Sequence, residues 1–149
     1  MTAKEYLSQA KTLDTKIRTM ERELQAIHEK AESTARGYSL DRVQTSVTGD
    51  RMAKLIAACI DLESEIMETN ISLLRQRLVI VTALHKLSDY RHIEVLYWKY
   101  ICYKRLEDIA TIMRKSNGEP YSFDHIAALH GEAVKAFAEV MPSDIHACA

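Results

Sequence analysis

Glycine and proline are scarce, with four Gly and two Pro in 149 residues. None stands before Gly37 and none between Gly49 and Gly118, so long stretches lack both residues that most readily break a helix. Alternating apolar stretches, the mark of a half-buried strand, are missing too. There is no surplus of positive charge: 20 Lys and Arg face 21 Asp and Glu, for a formal net charge of −1. That weighs against a non-specific DNA coat and leaves room for a reader with a local basic patch. The three cysteines, Cys59, Cys102 and Cys148, are odd in number and far apart, which fits no disulfide framework. No CxxC or HxxxH spacing occurs; His146 and Cys148 come nearest and read as tail rather than metal ligands. LVIV at Leu78 to Val81 is too short to span a bilayer, and no stretch reaches the ~20 apolar residues required. The opening MTAKEYLSQAK has no signal-peptide core, so a cytoplasmic protein without membrane contact is expected. P-loop, GxSxG and HExxH patterns are absent. The neighbours Glu63 and Glu65, and Glu107 and Asp108, do not share a helix face and make poor acid/base pairs. The chain reads as no enzyme, with no cofactor and no metal.

What is present is 47% hydrophobic residues beside 28% charged ones, the balance of soluble amphipathic helices, so the expected class is all-α. A first helix, with Thr2 as N-cap, is predicted to about Ala35. Leu7, Ala10, Leu13, Ile17, Met20, Leu24, Ile27 and Ala31 recur at steps of three and four, forming one seam. At ~1.5 Å per residue it would be roughly 50 Å long, and such a helix must bury its seam against another. Arg36 to Asp50 interrupts the pattern. Gly37 is expected to close the first helix and Asp50 to cap the next, with a mobile loop between them and Arg36, Arg42 and Arg51 as solvated charge. A second helix follows from Met52 to about Leu87 with two apolar stripes. One is Met52, Leu55, Cys59, Leu62, Ile66, Leu73, Ile80, Leu84 and Leu87; the other is Ile56, Ile60, Met67, Leu74, Leu78 and Val81. One partner helix cannot hide both. Residues 1–87 are therefore predicted to form a long antiparallel, coiled-coil-like hairpin that pairs as a homodimer or takes the C-terminal head on its second stripe.

Residues 88–142 read as a three-helix head, and 143–149 as a loose tail. Ser88 and Asp89 cap a helix from Tyr90 whose apolar face is Ile93, Leu96, Tyr97, Tyr100 and Ile101, with Trp98 outside it. Cys102, Tyr103 and Lys104 make a turn. A short fourth helix carries Leu106, Ile109, Ala110 and Met113. KSNGEP, Lys115 to Pro120, is a strong turn signal. Ser122 caps a last helix with Asp124 in its first turn, Ile126, Leu129, Ala133, Phe137 and Met141 on its buried face, and Pro142 at its end. Two short helices across a turn are the arrangement of a helix-turn-helix, whose second helix lies in the DNA major groove.

The stretches TAKEYLSQAKTLDTKI, RMAKLIAACIDLESEI, YRHIEVLYWKYICYKRLEDIATIM and YSFDHIAALHGEAVKAF follow one another along nearly the whole chain. In that order they resemble the phage-encoded transcriptional regulators of the ArpU and RinA kind, whose C-terminal part looks like the fourth region of sigma factors. The resemblance implies binding to promoter-proximal double-stranded DNA inside the host bacterial cell, sometimes with contact to host RNA polymerase. Carried over by position, Ser122 would cap the recognition helix and touch phosphate. Phe123, Asp124, His125, Ala127 and Ala128 would face the groove, Lys104 and Arg105 would meet the backbone, and Lys135 would reach a flanking phosphate. Charge adds Arg114 and Lys115 to a basic group at the turn.

The sequence departs from that family's pattern in three places. Asp124, Ala128 and Glu132 stand where arginines are usual, KSNGEP lengthens the turn, and Arg105 replaces a capping threonine, a loss of ~1 kcal/mol. Duplex affinity comes largely from Lys and Arg at phosphates, and base reading relies on arginine at guanine. An acidic recognition helix therefore keeps a second class open: a helical module that binds and inhibits a host protein, such as RNA polymerase or a defence nuclease.

Overall fold

The computed structural model describes residues 1–38 and 45–142, and their side chains except at 34–38 and 45–48. Among these residues the regular structure is all helical, with one isolated β-bridge, Arg114 to Pro120, in place of any sheet. The helices are α1 (Ala3–Tyr38), α2 (Thr45–Leu84), α3 (Tyr90–Leu96), α4 (Leu106–Ile112) and α5 (Phe123–Val140), with a π-helical turn at Tyr97–Ile101 directly after α3. No helix is long and apolar enough to cross a membrane.

The expected N-cap of α1 is in place, whereas α2 opens at another point than composition suggests. At the start of α1, Thr2 and Glu5 form a reciprocal capping box. The Glu5 amide donates to Thr2 Oγ1 at 3.2 Å and the Thr2 amide to Glu5 Oε2 at 2.7 Å, which satisfies donors the helix itself leaves open and holds the Glu5 carboxyl below its usual range. Helix α1 runs past Gly37 to Tyr38, and α2 starts at Thr45 rather than after a cap at Asp50. Asp50 lies inside α2 and pairs with Lys54 one turn on, at 3.4 Å. The expected cap at Asp50 did not hold, because a residue that can cap a helix is also tolerated within one, while Gly37 stands one residue before the end of α1, within the usual scatter of a helix boundary. Residues 39–44 of the expected mobile loop, with Arg42, the side chain of Arg36, and the tail with His146 and Cys148 lie outside what the structure describes.

Contacts divide the chain into two compact units, and not at residues 87/88. One unit is Leu13–Leu73, parts of α1 and α2. Among the described side chains its buried residues are Ile17, Met20, Leu73 and Thr69, whose hydroxyl donates to the Glu65 carbonyl at 2.7 Å. Leu24, Ile27, Leu55, Leu62 and Ile66 are half-buried. Lys16–Glu65 and His28–Glu63 pair across the two helices at 3.7 and 3.8 Å. The first predicted stripe is the one turned inward. Of the second, Ile56, Ile60 and Met67 are exposed in this unit, and Leu74 and Leu78 are exposed further along α2.

The other unit joins residues 1–12 to the chain from Leu74 onward, and holds most of the core. Leu7, Ile80, Leu84, Leu96, Ile109, Ile126 and Phe137 are fully buried. Helix α5 packs on α3 and α4, and Tyr6 meets Phe137 with ring centroids 6.0 Å apart. The Asp89 carboxylate caps α3 by accepting from the Arg91 amide at 2.9 Å, and it also holds the Arg91 guanidinium. That hydrogen bonding keeps the Asp89 carboxyl below its usual range.

The π turn reflects where the apolar residues fall. Val95 and Leu96 are buried, and so are Tyr100 and Ile101, five residues on. In an α-helix five residues advance roughly 500°, which would set the two pairs on different faces. A widened turn brings them round to one core. The Cys102 amide accordingly donates to the Tyr97 carbonyl at 3.1 Å. Tyr97, predicted on the apolar face, is 38% exposed, and Val95 takes the core position instead. Trp98 is half-buried and edge-on to Tyr97.

Candidate nucleic-acid interface

Helix α5 is anchored along one side and open at its first turns. Ile126, Leu129, Ala133 and Phe137, at steps of three and four, are buried. Ser122, Phe123, Asp124, His125 and Ala128 are exposed, Ala127 is half-buried and Lys135 is exposed. Met141, expected on the buried face, is the C-cap and half-buried, because the helix ends at Val140 ahead of Pro142. Ser122 Oγ accepts from the His125 amide at 3.2 Å, the predicted N-cap.

The segment before α5 is a closed turn. The Lys115 amide donates to the Glu119 carbonyl and the Gly118 amide to the Lys115 carbonyl, each at 2.9 Å. Asn117 Oδ1 accepts from the Glu119 amide at 3.0 Å. Gly118 has φ 85°, the left-handed region that a glycine enters at little cost. The Lys115 ammonium lies 5.9 Å from the Tyr121 ring centre, and Tyr121 meets His125 edge-on at 4.8 Å. Turn and helix tip are thereby tied together. From Met113 to Ser122 the link spans more residues than the 3–4 of a tight helix-turn-helix.

The basic residues predicted as one group fall into two. Lys104 and Arg105 precede α4, whereas Arg114 and Lys115 follow it, and a seven-residue helix separates them by roughly 10 Å. Arg105 gives α4 no side-chain cap; instead it pairs with Glu107 and Asp108 at 3.8 and 3.4 Å. Lys104 and Arg105 line a concavity of about 170 Å³ together with Lys4, Ser8, Lys11, Lys99, Tyr100 and Tyr103. Sequence reasoning missed the lysines of α1. Their one available signal was the helical spacing of Lys4 and Lys11, which put them on one face.

Beside this concavity, Tyr100 Oη and His130 Nε2 share a hydrogen bond of 2.9 Å, with the rings stacked. Burial pushes the Tyr100 hydroxyl up, and it pulls the His130 imidazole below its usual value, helped by Lys99 and Lys4. On another side of α5, His92 lies 3.7 Å from Asp89 and 3.8 Å from Glu132. Among the described residues no three His, Cys, Asp or Glu side chains converge as a metal site.

No protein-family model matches the chain, and no curated protein or solved structure proves similar to it. The likeness to the phage regulators thus rests on the quoted stretches of sequence.

Proposed function

We propose that the protein is a phage-type transcription regulator whose head docks on double-stranded DNA with the first turns of α5. The observation that carries this reading is the open end of α5: Ser122 to His125 are all exposed, while Ile126, Leu129, Ala133 and Phe137 bury one side of the later turns. A helix held in this way offers its N-terminal residues to a groove, as recognition helices do, and its N-terminal amides favour a phosphate. Fluorescence anisotropy with duplexes from the late promoter region of its own prophage tests the proposal. Binding should weaken steeply with salt, since each neutralised phosphate contributes a slope of about −0.9. Absence of salt-dependent binding at low ionic strength would overturn it.

A second reading is supported by the charge of the same face. Asp124 and Glu132 are exposed on α5, and an acidic helix suits a basic channel on a host RNA polymerase or defence nuclease better than it suits a duplex. Titrating the purified protein into a polymerase assay and a nuclease assay separates the two. Inhibition without DNA binding selects the second.

A further inference from the structure

We infer that the concavity formed by the first turns of α1 and the 97–105 segment is a phosphate-binding site. The inference deepens the DNA-binding reading, with which it shares Lys104 and Arg105, but it stands on different observations.

The first is composition. Lys4, Lys11, Lys99, Lys104 and Arg105 line one hollow of about 170 Å³, and no acid lines it. In a chain with 21 Asp and Glu against 20 Lys and Arg, chance would intersperse the two signs. Lys4, Lys99 and Lys104 form no ion pair with a described acid, so their mutual repulsion is left to be relieved by an anion. A phosphate group, with several acceptor oxygens and up to two charges, suits this density of donors better than a single carboxylate.

The second is the backbone that builds the hollow. Tyr103 has φ 58°, a left-handed conformation that a bulky residue seldom adopts and that tends to mark functional positions. Its hydroxyl donates to the Ala10 carbonyl at 3.2 Å, which pins the turn to α1. The Lys104 amide donates to the Trp98 carbonyl at 2.9 Å, closing the same loop. The adjoining π turn carries Lys99 and Tyr100, and π turns recur at functional sites. Two unusual backbone features thus serve a single rim. Burial is the main reason that His130 holds its proton less readily, and Lys99 and Lys4 add to it from the same rim.

The phosphate oxygens come either from a duplex backbone or from a free phosphoanion. Calorimetry on the full chain at low salt, with inorganic pyrophosphate as probe and a short duplex of arbitrary sequence as competitor, separates these sources. Pyrophosphate should bind, and the Lys99→Gln/Lys104→Gln variant should bind it at least about tenfold more weakly, with a flatter salt dependence. Lys54→Gln carries half that change in charge away from the hollow and should bind as the wild type does. Competition by the duplex assigns the site to the DNA backbone. Pyrophosphate binding without any duplex binding assigns it to a free phosphoanion and removes the DNA reading instead. No pyrophosphate binding, or binding unchanged in the double variant with its helical circular dichroism intact, would overturn the site.

Discussion

The two units are made of similar helical sequence and reach different degrees of order in their cores. In the unit from Leu13 to Leu73, two helix segments face each other, and only four of the described side chains are buried. Most of its seam is half-buried, and Ile56, Ile60, Met67 and Ile71 are 45–67% exposed. In the other unit, segments from every helix converge, and Phe137, Leu7 and Ile126 are sealed completely. Periodicity says which face of a helix is apolar, but the number of neighbours decides how much of that face leaves water. A pair of helices has one neighbour each; the head supplies several.

Phe137→Ala tests this contrast at its strongest point. It should cost about 3–5 kcal/mol, the range for emptying a sealed aromatic position, read from chemical denaturation of the full chain. Ile27→Ala, on the half-buried seam, should cost only about 1–2 kcal/mol, in proportion to the smaller area lost. Equal losses would break the distinction. Ser122→Ala should remove about 1 kcal/mol through the cap of α5, and Ser122→Gly only a few tenths.

A smaller effect follows from His130. Its imidazole binds protons less readily in the folded chain than in the unfolded one, so the unfolded state takes up more protons as the pH falls. The stability it contributes is complete above the unfolded value near 6.5 and is lost as the pH drops through the lower folded value. Thermal melts of the wild type should fall more between neutral and mildly acid pH than those of His130→Asn; parallel curves would exclude the imidazole as the cause. Least disturbing should be Met67→Gln, at 67% exposure, with a change within about 0.5 kcal/mol for the isolated chain. Light scattering on a broader variant of the same row sharpens the comparison. If two copies bury this row of α2, as the surplus stripe suggests, wild type should run as a dimer and a variant with Ile60, Met67 and Leu74 all changed to Gln as a monomer.

Much of this architecture could be read locally. The seam of α1, the caps at Thr2, Asp89 and Ser122, the glycine turn at Gly118 and the stop at Pro142 each depend on residues within a few positions of one another. What escaped prediction depends on residues far apart or on competition between equal candidates. Both stripes of α2 are apolar, and only the fold selects the one beginning at Met52 over the one beginning at Ile56. Thr45 and Asp50 can each open a helix. Lys4 and Lys11 lie some ninety residues before Lys99 and Lys104, so no window of sequence unites them. The 97–101 segment has an ordinary helical composition; its wide turn answers the spacing of Val95, Leu96, Tyr100 and Ile101 against the core.

That wide turn acts as a one-residue insertion that the chain has kept. Were the same residues wound as a regular helix, everything downstream would be re-phased by roughly 100°. Tyr100 would swing away from His130, and Lys104 would no longer look toward α1. The helices themselves would survive such a rewinding, but the basic rim would come apart.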